Sequence, residues 1–147
     1  MHKPGNVLMV CLGNICRSPI AQGVFENMSK NFKISVDSAG IANYHIGDAP
    51  DRRSINVSKT NGIDISTQKA RQIRTNDFKN FDYIFVMDNQ NFSDVKKLAL
   101  INKTNCIIQL LNDPFEIEDP YYGDDKGFEI VYDKIYQGCK RVLNNWK

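Results

Sequence analysis

The amino-acid sequence predicts a single-domain α/β fold, in which a four-stranded parallel sheet carries helices on both faces. Short apolar runs that are typical of buried strands alternate with longer segments in which apolar residues recur at helical spacing. Parallel strands joined by right-handed helical crossovers place their helices on both faces of the sheet. We therefore expect one domain, residues 1–147, and the sequence contains no internal repeat.

Four segments have the character of strands. Residues 7–10 and 83–87 are unbroken apolar runs, as expected for strands that are covered on both faces. Residues 32–37 alternate apolar and polar side chains, and residues 106–111 form a further apolar segment. In such sheets the loops at the carboxyl ends of the strands form the functional site.

Two helices are expected in the first half of the chain. Ser18 is a suitable N-cap for the first, and Pro19 suits its first turn because proline has no N–H to leave unpaired. The second is a short helix over residues 51–60, which stops at Asn61-Gly62.

Two more helices are expected in the second half, at residues 89–100 and 128–146. The last one carries an apolar stripe that includes Tyr136 and Cys139, and this pattern predicts core packing. Cys106, at the start of the fourth strand, is likewise expected to be a buried thiol that acts as a small apolar side chain.

The segment between the first strand and the first helix has the composition of an anion-binding loop. Residues 12–17 are short enough to curl around one tetrahedral oxyanion with their N–H groups pointing inwards. Gly13 and Asn14 tolerate the unusual φ angles that this curl requires. The helix N-terminus adds partial positive charge, and Arg17 adds a fork of donors that matches two phosphate oxygens.

Cys11 lies at the end of the first strand, directly before this loop. The positive field of the loop favours the thiolate, which is the nucleophilic form of cysteine. Taken alone, Cys11 could equally be a cysteine packed at a strand end beside a surface arginine. The glycine, asparagine, serine and proline placed after it favour the nucleophile.

Two motifs resemble those of the low-molecular-weight protein tyrosine phosphatases. The family's phosphate-binding signature is matched residue by residue by Val10-Cys11-Leu12-Gly13-Asn14-Ile15-Cys16-Arg17-Ser18-Pro19. The segment that carries the family's general acid is matched by Asp119-Pro120-Tyr121-Tyr122-Gly123. Weaker similarity runs between the two motifs, so the resemblance covers nearly the whole chain. It implies hydrolysis of phosphotyrosine and other aryl phosphates through a cysteinyl-phosphate intermediate.

The resemblance assigns the catalytic roles to Cys11, Arg17 and Asp119. Cys11 attacks phosphorus, and Asp119 protonates the departing tyrosyl oxygen and then activates water. The phosphate is expected to be held by the loop residues Leu12, Gly13, Asn14, Ile15, Cys16, Arg17 and Ser18. Ser18 Oγ is expected to donate to the Cys11 sulfur, and Asn14 to hold the shape of the loop.

Composition alone does not single out Asp119. Glu116, Glu118, Asp124 and Asp125 lie in the same long segment, residues 112–126. A loop of that length in a compact domain is usually functional or mobile. The resemblance selects Asp119 and leaves Asp124 open as an assisting group.

Aromatic residues are expected to form the walls of the substrate cleft. Tyr121 and Tyr122, together with Ile15 and Tyr44, would favour an aryl phosphate over a short alkyl phosphate. The alternative is that one tyrosine only anchors the loop to the core. The neighbouring His45 is expected to be a solvated loop residue without a role.

Cys16 is a second cysteine within the loop. The resemblance implies that it is the redox partner of Cys11 and forms a disulfide that protects the nucleophile from irreversible oxidation. No paired Cys-x-x-Cys units are present, and neither histidine has a second ligand near it in sequence. We therefore expect no metal and no cofactor.

The net charge of +2 is too small to predict a nucleic-acid or membrane partner. No apolar run approaches the length of a transmembrane helix, and no signal peptide is recognisable. We expect a reduced, cytoplasmic monomer whose partner is a phosphotyrosine-containing protein.

Two other functions are compatible with an anion loop of this kind. Arsenate reduction uses a similar cysteine–arginine loop but needs a relay of further cysteines close together, whereas Cys106 and Cys139 fall in different predicted elements. A non-catalytic phosphotyrosine-binding module would need the loop alone, so the presence of both a nucleophile and an acid favours an enzyme.

Overall fold

The computed structural model describes residues 5–147, so residues 1–4 of the predicted domain lie outside the described residues. Over the described range the chain forms four strands and five helices, in the order β1 (Asn6–Cys11), α1 (Arg17–Met28), β2 (Ser35–Gly40), α2 (Arg52–Thr60), α3 (Asp77–Asn80), β3 (Tyr83–Val86), α4 (Asn89–Asn102), β4 (Ile107–Leu110) and α5 (Asp125–Trp146). The predicted alternation of strands and helices is confirmed.

The four strands form one parallel sheet in the order β2-β1-β3-β4. β1 is a central strand, and its register pairs Cys11 with Gly40 of β2 and Val10 with Val86 of β3. Because the strands are parallel, their carboxyl ends lie at the same edge of the sheet. The loops after β1, β2 and β4 meet at that edge.

Side chains of β1 alternate between two cores. Val7, Met9 and Cys11 belong to a cluster that includes residues of α1 and α5. Leu8 and Val10 belong to a second cluster, which includes residues of α3 and α4. This alternation is the period of a strand, and it explains why the run is apolar throughout. The prediction of helices on both faces is confirmed.

α5 packs its apolar stripe against the sheet and α1. Trp146, near its end, contacts the rings of Phe25, Tyr83 and Phe85, with centroid separations of 5.7, 4.9 and 6.0 Å. The predicted stripe is confirmed except at Tyr136, which is 39% exposed because it lies at the margin of the buried face.

Several predicted boundaries are wrong. β2 is Ser35–Gly40 rather than 32–37, because its pairing with β1 starts at Asn6 and Ser35 and ends at Cys11 and Gly40. β3 and β4 are shorter than predicted, and α4 continues to Asn102. α3 was not predicted, since four residues are too few to display a helical period.

Two predicted roles also need correction. α1 begins at Arg17, so Ser18 lies inside the helix, and its N-cap residue is Cys16, which makes no side-chain cap hydrogen bond. Cys139 is buried as predicted, but Cys106 is only half-buried because it precedes β4 at the edge of the sheet. Within residues 5–147, no helix is both long and apolar enough to cross a membrane.

Gly138→Ala is expected to destabilise the protein, although alanine is the better helix former. A Cβ at this position of α5 would lie 2.9 Å from the backbone oxygen of Leu111. Moving that backbone away should lower the free energy of unfolding by about 1–3 kcal/mol. Urea unfolding measures this change.

The control is Gly127→Ala in the same helix, where the nearest atom would be 3.9 Å from the added Cβ. This variant is expected to be neutral, or to gain up to about 1 kcal/mol from helix propensity. If Gly138→Ala stabilised the protein as much as the control, the close packing of α5 on Leu111 would be contradicted.

Candidate active site

Three loops at the carboxyl edge of the sheet line one cleft. The loop after β1 contributes Cys11, Arg17 and the residues between them other than Asn14. The loop after β2 contributes Tyr44 and His45, and the segment after β4 contributes Asp119, Tyr121 and Tyr122. The cleft therefore brings together the nucleophile, arginine, acid and wall residues that the sequence suggested.

Asn14 holds the loop in its curled shape. Its φ of 60° lies in the left-handed region, which asparagine tolerates better than most residues. Its side-chain oxygen accepts from the backbone N–H of Arg71 at 3.0 Å, and its Nδ2 donates to Ser18 Oγ at 2.7 Å and Ser38 Oγ at 3.0 Å.

Gly13 serves a different purpose from the one predicted, because its φ is not positive. The absence of a side chain leaves room for the neighbouring loop, since a Cβ on Gly13 would lie 3.1 Å from His45 Cδ2. Gly40, at the end of β2, is similar: its Cβ would lie 2.9 Å from the backbone carbon of Gly13. Both glycines let the loop pack closely against its surroundings.

The Cys11 sulfur faces the first turn of α1. It lies 3.1 Å from Ser18 Oγ and 3.4 Å from the backbone N of Ser18, which donates to it. Ser18 Oγ already accepts from Asn14, so its own proton is available for the sulfur. A thiolate at Cys11 would be stabilised by both donors and by the helix N-terminus.

Arg17 is buried, with only 2% of its surface exposed. Its Nη1 donates to Asp88 Oδ2 at 2.7 Å and to the carbonyl oxygen of Ile117 at 2.9 Å. Asp88 is itself fixed, because it caps α4 by accepting from Asn91 N. Nε has no hydrogen-bond partner among the described residues. The edge of the guanidinium formed by Nε and Nη2 is therefore suited to binding two oxygens of one anion.

Asp119 lies over this free edge of the guanidinium. Its Oδ2 is 3.7 Å from Arg17 Nη2, and its Oδ1 accepts from Tyr121 N at 3.1 Å. The side chain is 40% exposed, so it lies at the mouth of the cleft rather than in the core. A carboxyl group in this position can exchange protons with a group bound at Arg17.

The four carboxylates that the sequence left as alternatives to Asp119 do not line this cleft. Glu116 accepts from Asn89 N, and Glu118 pairs with Lys134 at 2.8 Å. Asp124 is the N-cap of α5, and Asp125 lies in the first turn of that helix. Among the carboxylates that the sequence left as alternatives, only Asp119 faces Cys11 and Arg17.

The walls of the cleft are aromatic and apolar. The rings of Tyr121 and Tyr122 meet edge to face with their centroids 5.0 Å apart, and Tyr44, which also lines the cleft, is 72% exposed. Tyr122 is 96% exposed, so its ring does not anchor the loop to the core. Ile15 is a further lining residue, and it is buried.

His45 also lines the cleft, and its side chain is only 29% exposed, so it is not the solvated loop residue that the sequence suggested. Its ring lies 6.4 Å from that of Tyr121, and its Nδ1 is 3.2 Å from Asp48 Oδ2. The only signal in the sequence was its position beside Tyr44, which does not show which way a loop residue faces.

Cys16 is buried within the loop that follows β1. Burial raises the pKa of its thiol, and the negative charge of Asp51 acts in the same direction. The thiol is therefore protonated at neutral pH. All four cysteines are unpaired in the structure. No group of three or more potential metal ligands occurs within the described range.

Comparison with known proteins agrees with this geometry. The family model described as low molecular weight phosphotyrosine protein phosphatase matches residues 6–147. A protein of that name from Rattus norvegicus is 45% identical over 150 residues, which cover 94% of this chain and 93% of the relative. A low molecular weight protein-tyrosine-phosphatase from Bacillus subtilis is 37% identical, with the same coverage.

Solved structures show the same fold. A protein tyrosine phosphatase from Entamoeba histolytica has a TM-score of 0.85 at 36% identity, covering 95% of this chain and 94% of that chain. A Drosophila protein described as an arginine phosphatase has a TM-score of 0.91 at 35% identity, with 96% and 97% coverage. The chain belongs to the low molecular weight phosphotyrosine protein phosphatase family.

Proposed function

We propose that this protein is a cysteine-dependent protein tyrosine phosphatase, which hydrolyses phosphotyrosine and other aryl phosphates. One observation carries the proposal. The Cys11 sulfur, the free edge of the Arg17 guanidinium and the Asp119 carboxyl group converge on a single cleft. This is a nucleophile, an anion holder and a proton donor around one position for phosphorus.

In the first step the Cys11 thiolate attacks phosphorus and forms an S–P bond, while the P–O bond to the tyrosyl oxygen breaks. Arg17 and the N–H groups of the loop hold the other phosphate oxygens, which carry charge in the transition state. Asp119 gives its proton to the tyrosyl oxygen, so tyrosine leaves as a neutral phenol.

In the second step water attacks the phosphorus of the phosphocysteine, and Asp119, now a carboxylate, takes a proton from that water. The S–P bond breaks, and Cys11 is released as a thiolate. The Ser18 hydroxyl donates to the sulfur as its charge develops, which the 3.1 Å separation supports. Inorganic phosphate leaves, and neither step requires a cofactor.

Aromatic walls support phosphotyrosine as the substrate. The ring of a phosphotyrosine side chain can pack between Tyr44 and Tyr121 while its phosphate reaches the loop. The family fold also occurs in a Drosophila protein described as an arginine phosphatase. The guanidinium of phosphoarginine would meet a single carboxylate, that of Asp119, among the residues that line the cleft, and its other neighbours there would include three tyrosines. The walls therefore favour an aryl group.

Arsenate reduction has no such support. It requires further thiols that can reach the active cysteine in turn, but Cys139 is fully buried on α5 and Cys106 lies beside β4.

We propose a cytoplasmic monomer that acts on phosphotyrosine-containing proteins and not on nucleic acid or membranes. Its unpaired cysteines suit a reducing compartment.

The central test is hydrolysis of p-nitrophenyl phosphate in the presence of EDTA. We expect Cys11→Ser to abolish turnover, because serine is not ionised at neutral pH. Asp119→Asn should lower kcat by about 10²- to 10⁴-fold, because it removes the base that takes a proton from water when the phosphocysteine is hydrolysed. Phosphotyrosine peptides should be hydrolysed and phosphoarginine should not.

The matched control is Asp124→Asn, which retains a good N-cap for α5 and should change kcat by less than about twofold. A comparable loss in Asp119→Asn and Asp124→Asn would contradict the assignment of the acid. Phosphotyrosine binding without turnover by the wild-type protein would instead support a binding module.

We also propose that Cys16 is the redox partner of Cys11. Peroxide converts the Cys11 thiolate to a sulfenic acid and releases hydroxide. The Cys16 thiol then attacks that sulfur, and a disulfide forms with loss of water. Both cysteines are buried and line the same cleft, one at each end of the short segment between β1 and α1, which supports this pairing.

Inactivation by hydrogen peroxide is therefore expected to be reversible by dithiothreitol in the wild-type protein. In Cys16→Ser the sulfenic acid of Cys11 has no partner, so most activity should be lost permanently through further oxidation. Cys106→Ser should recover as the wild type does. Recovery of Cys16→Ser to the wild-type extent would exclude the proposed pairing.

A further inference from the structure

An arginine outside both motifs holds the segment that carries the acid. Arg53 is in the first turn of α2, and its guanidinium reaches across to the loop before α5. Nη2 donates to the carbonyl oxygen of Tyr121 at 2.9 Å, and Nη1 donates to that of Gly123, also at 2.9 Å. These two carbonyl groups lie on either side of Tyr122, just after the Asp119-Pro120 pair.

The Arg53 side chain is itself held rigidly. Its Nε and Nη2 donate to the two carboxylate oxygens of Asp51, at 3.0 and 2.9 Å. The guanidinium lies over the ring of the fully buried Phe128, 4.3 Å from the centroid. Hydrogen bonds from Arg53 also lower the pKa of Asp51, so this carboxylate stays charged at neutral pH. An arginine that pairs with a carboxylate through two hydrogen bonds and lies over an aromatic ring has little freedom to change its conformation.

The residues around the start of α2 are also hydrogen-bonded to the phosphate-binding loop. The backbone N–H of Asp51 donates to the carbonyl oxygen of Ile15 at 2.8 Å. Ser54 Oγ donates to the carbonyl oxygen of Cys16 at 3.2 Å. The start of α2 therefore connects the loop that holds the phosphate to the segment that carries the acid.

Asp119 lies between two anchored points of its segment. On one side, the buried Ile117 donates to the carbonyl oxygen of Met87 and accepts from Arg17. On the other side, Tyr121 donates its N–H to Asp119 Oδ1, and its carbonyl oxygen accepts from Arg53. The position of the carboxyl group thus depends on a peptide segment that Arg53 holds in place.

We propose that Arg53 is a positioning residue for the general acid. It acts through Tyr121 and Gly123 and keeps Asp119 within reach of the leaving oxygen, and it does not itself touch the substrate. This inference rests on the proposed function of Asp119. Loss of Arg53 should therefore weaken proton donation specifically, and its effect should depend on how much the leaving group needs a proton.

The test compares phenyl phosphate, whose leaving group has a pKa near that of tyrosine, about 10, with p-nitrophenyl phosphate. The p-nitrophenolate ion delocalises its charge and leaves with little help from an acid. The measured quantity is kcat/KM, which covers only the steps up to departure of the phenol and excludes hydrolysis of the phosphocysteine.

Arg53→Met keeps the aliphatic stem and removes the donors. We expect kcat/KM for phenyl phosphate to fall about 10- to 100-fold, as part of the contribution of a general acid, and that for p-nitrophenyl phosphate to fall less than about threefold. In the Asp119→Asn background the same substitution should cause no further loss. Arg53→Lys can donate to one carbonyl group and should be intermediate.

Arg52→Met is the matched control, since Arg52 is exposed in the same helical turn. It should leave both kcat/KM values unchanged. Circular dichroism verifies folding. If Arg53→Met does not fold, the kcat/KM values of Arg53→Lys on the two substrates are compared instead. Equal losses on both substrates, or a full additional loss in the Asp119→Asn background, would overturn the positioning role.

Failure of the positioning role of Arg53 is distinguishable from failure of the proposed role of Asp119. If Asp119→Asn itself showed no dependence on the leaving group, the acid would be misassigned. If Asp119→Asn showed that dependence and Arg53→Met did not, only the role of Arg53 would be lost.

Discussion

The burial of the Arg17 guanidinium is the constraint on which the rest of the site depends. This charge cannot be removed by deprotonation, and only 2% of the residue is exposed. Asp88 and the carbonyl oxygen of Ile117 bind Nη1, which leaves Nε without a partner among the described residues. A buried unpaired donor costs about 1–3 kcal/mol. Binding an oxyanion at Nε removes that cost, so the site is built to favour phosphate.

The same contacts explain how distant parts of the chain meet. Arg17 begins α1, Asp88 caps α4, and Ile117 belongs to the segment that leads to Asp119. A single side chain thus links the phosphate-binding loop to the acid. The start of α2 makes a second link between the same two regions, since Arg53 bonds to Tyr121 and Gly123 and Asp51 bonds to Ile15. Two arginines thus hold the segment that carries Asp119: Arg17 donates to the carbonyl oxygen of Ile117 before it, and Arg53 donates to those of Tyr121 and Gly123 after it.

The features that could be predicted from the sequence are those with local causes. Apolar periodicity predicts the sheet and its helices, and the loop motif identifies Cys11 and Arg17 because all its parts are adjacent in sequence. The limits of β2 depend on its register with β1. The N-cap predicted at Ser18 is wrong because α1 begins one residue earlier, at Arg17, and the Ser18 hydroxyl instead contacts Cys11 and Asn14. The role of Arg53 could not be predicted, because its partners are backbone carbonyl groups, which every residue has.

The most direct test of this account is a crystal structure of the protein with inorganic phosphate bound. We predict that the phosphate lies inside the loop above the Cys11 sulfur. Two of its oxygens should accept from Arg17 Nε and Nη2, while Nη1 keeps its bonds to Asp88 and Ile117. A phosphate bound elsewhere, or an Nε that still lacks a partner with phosphate in the loop, would contradict the central claim.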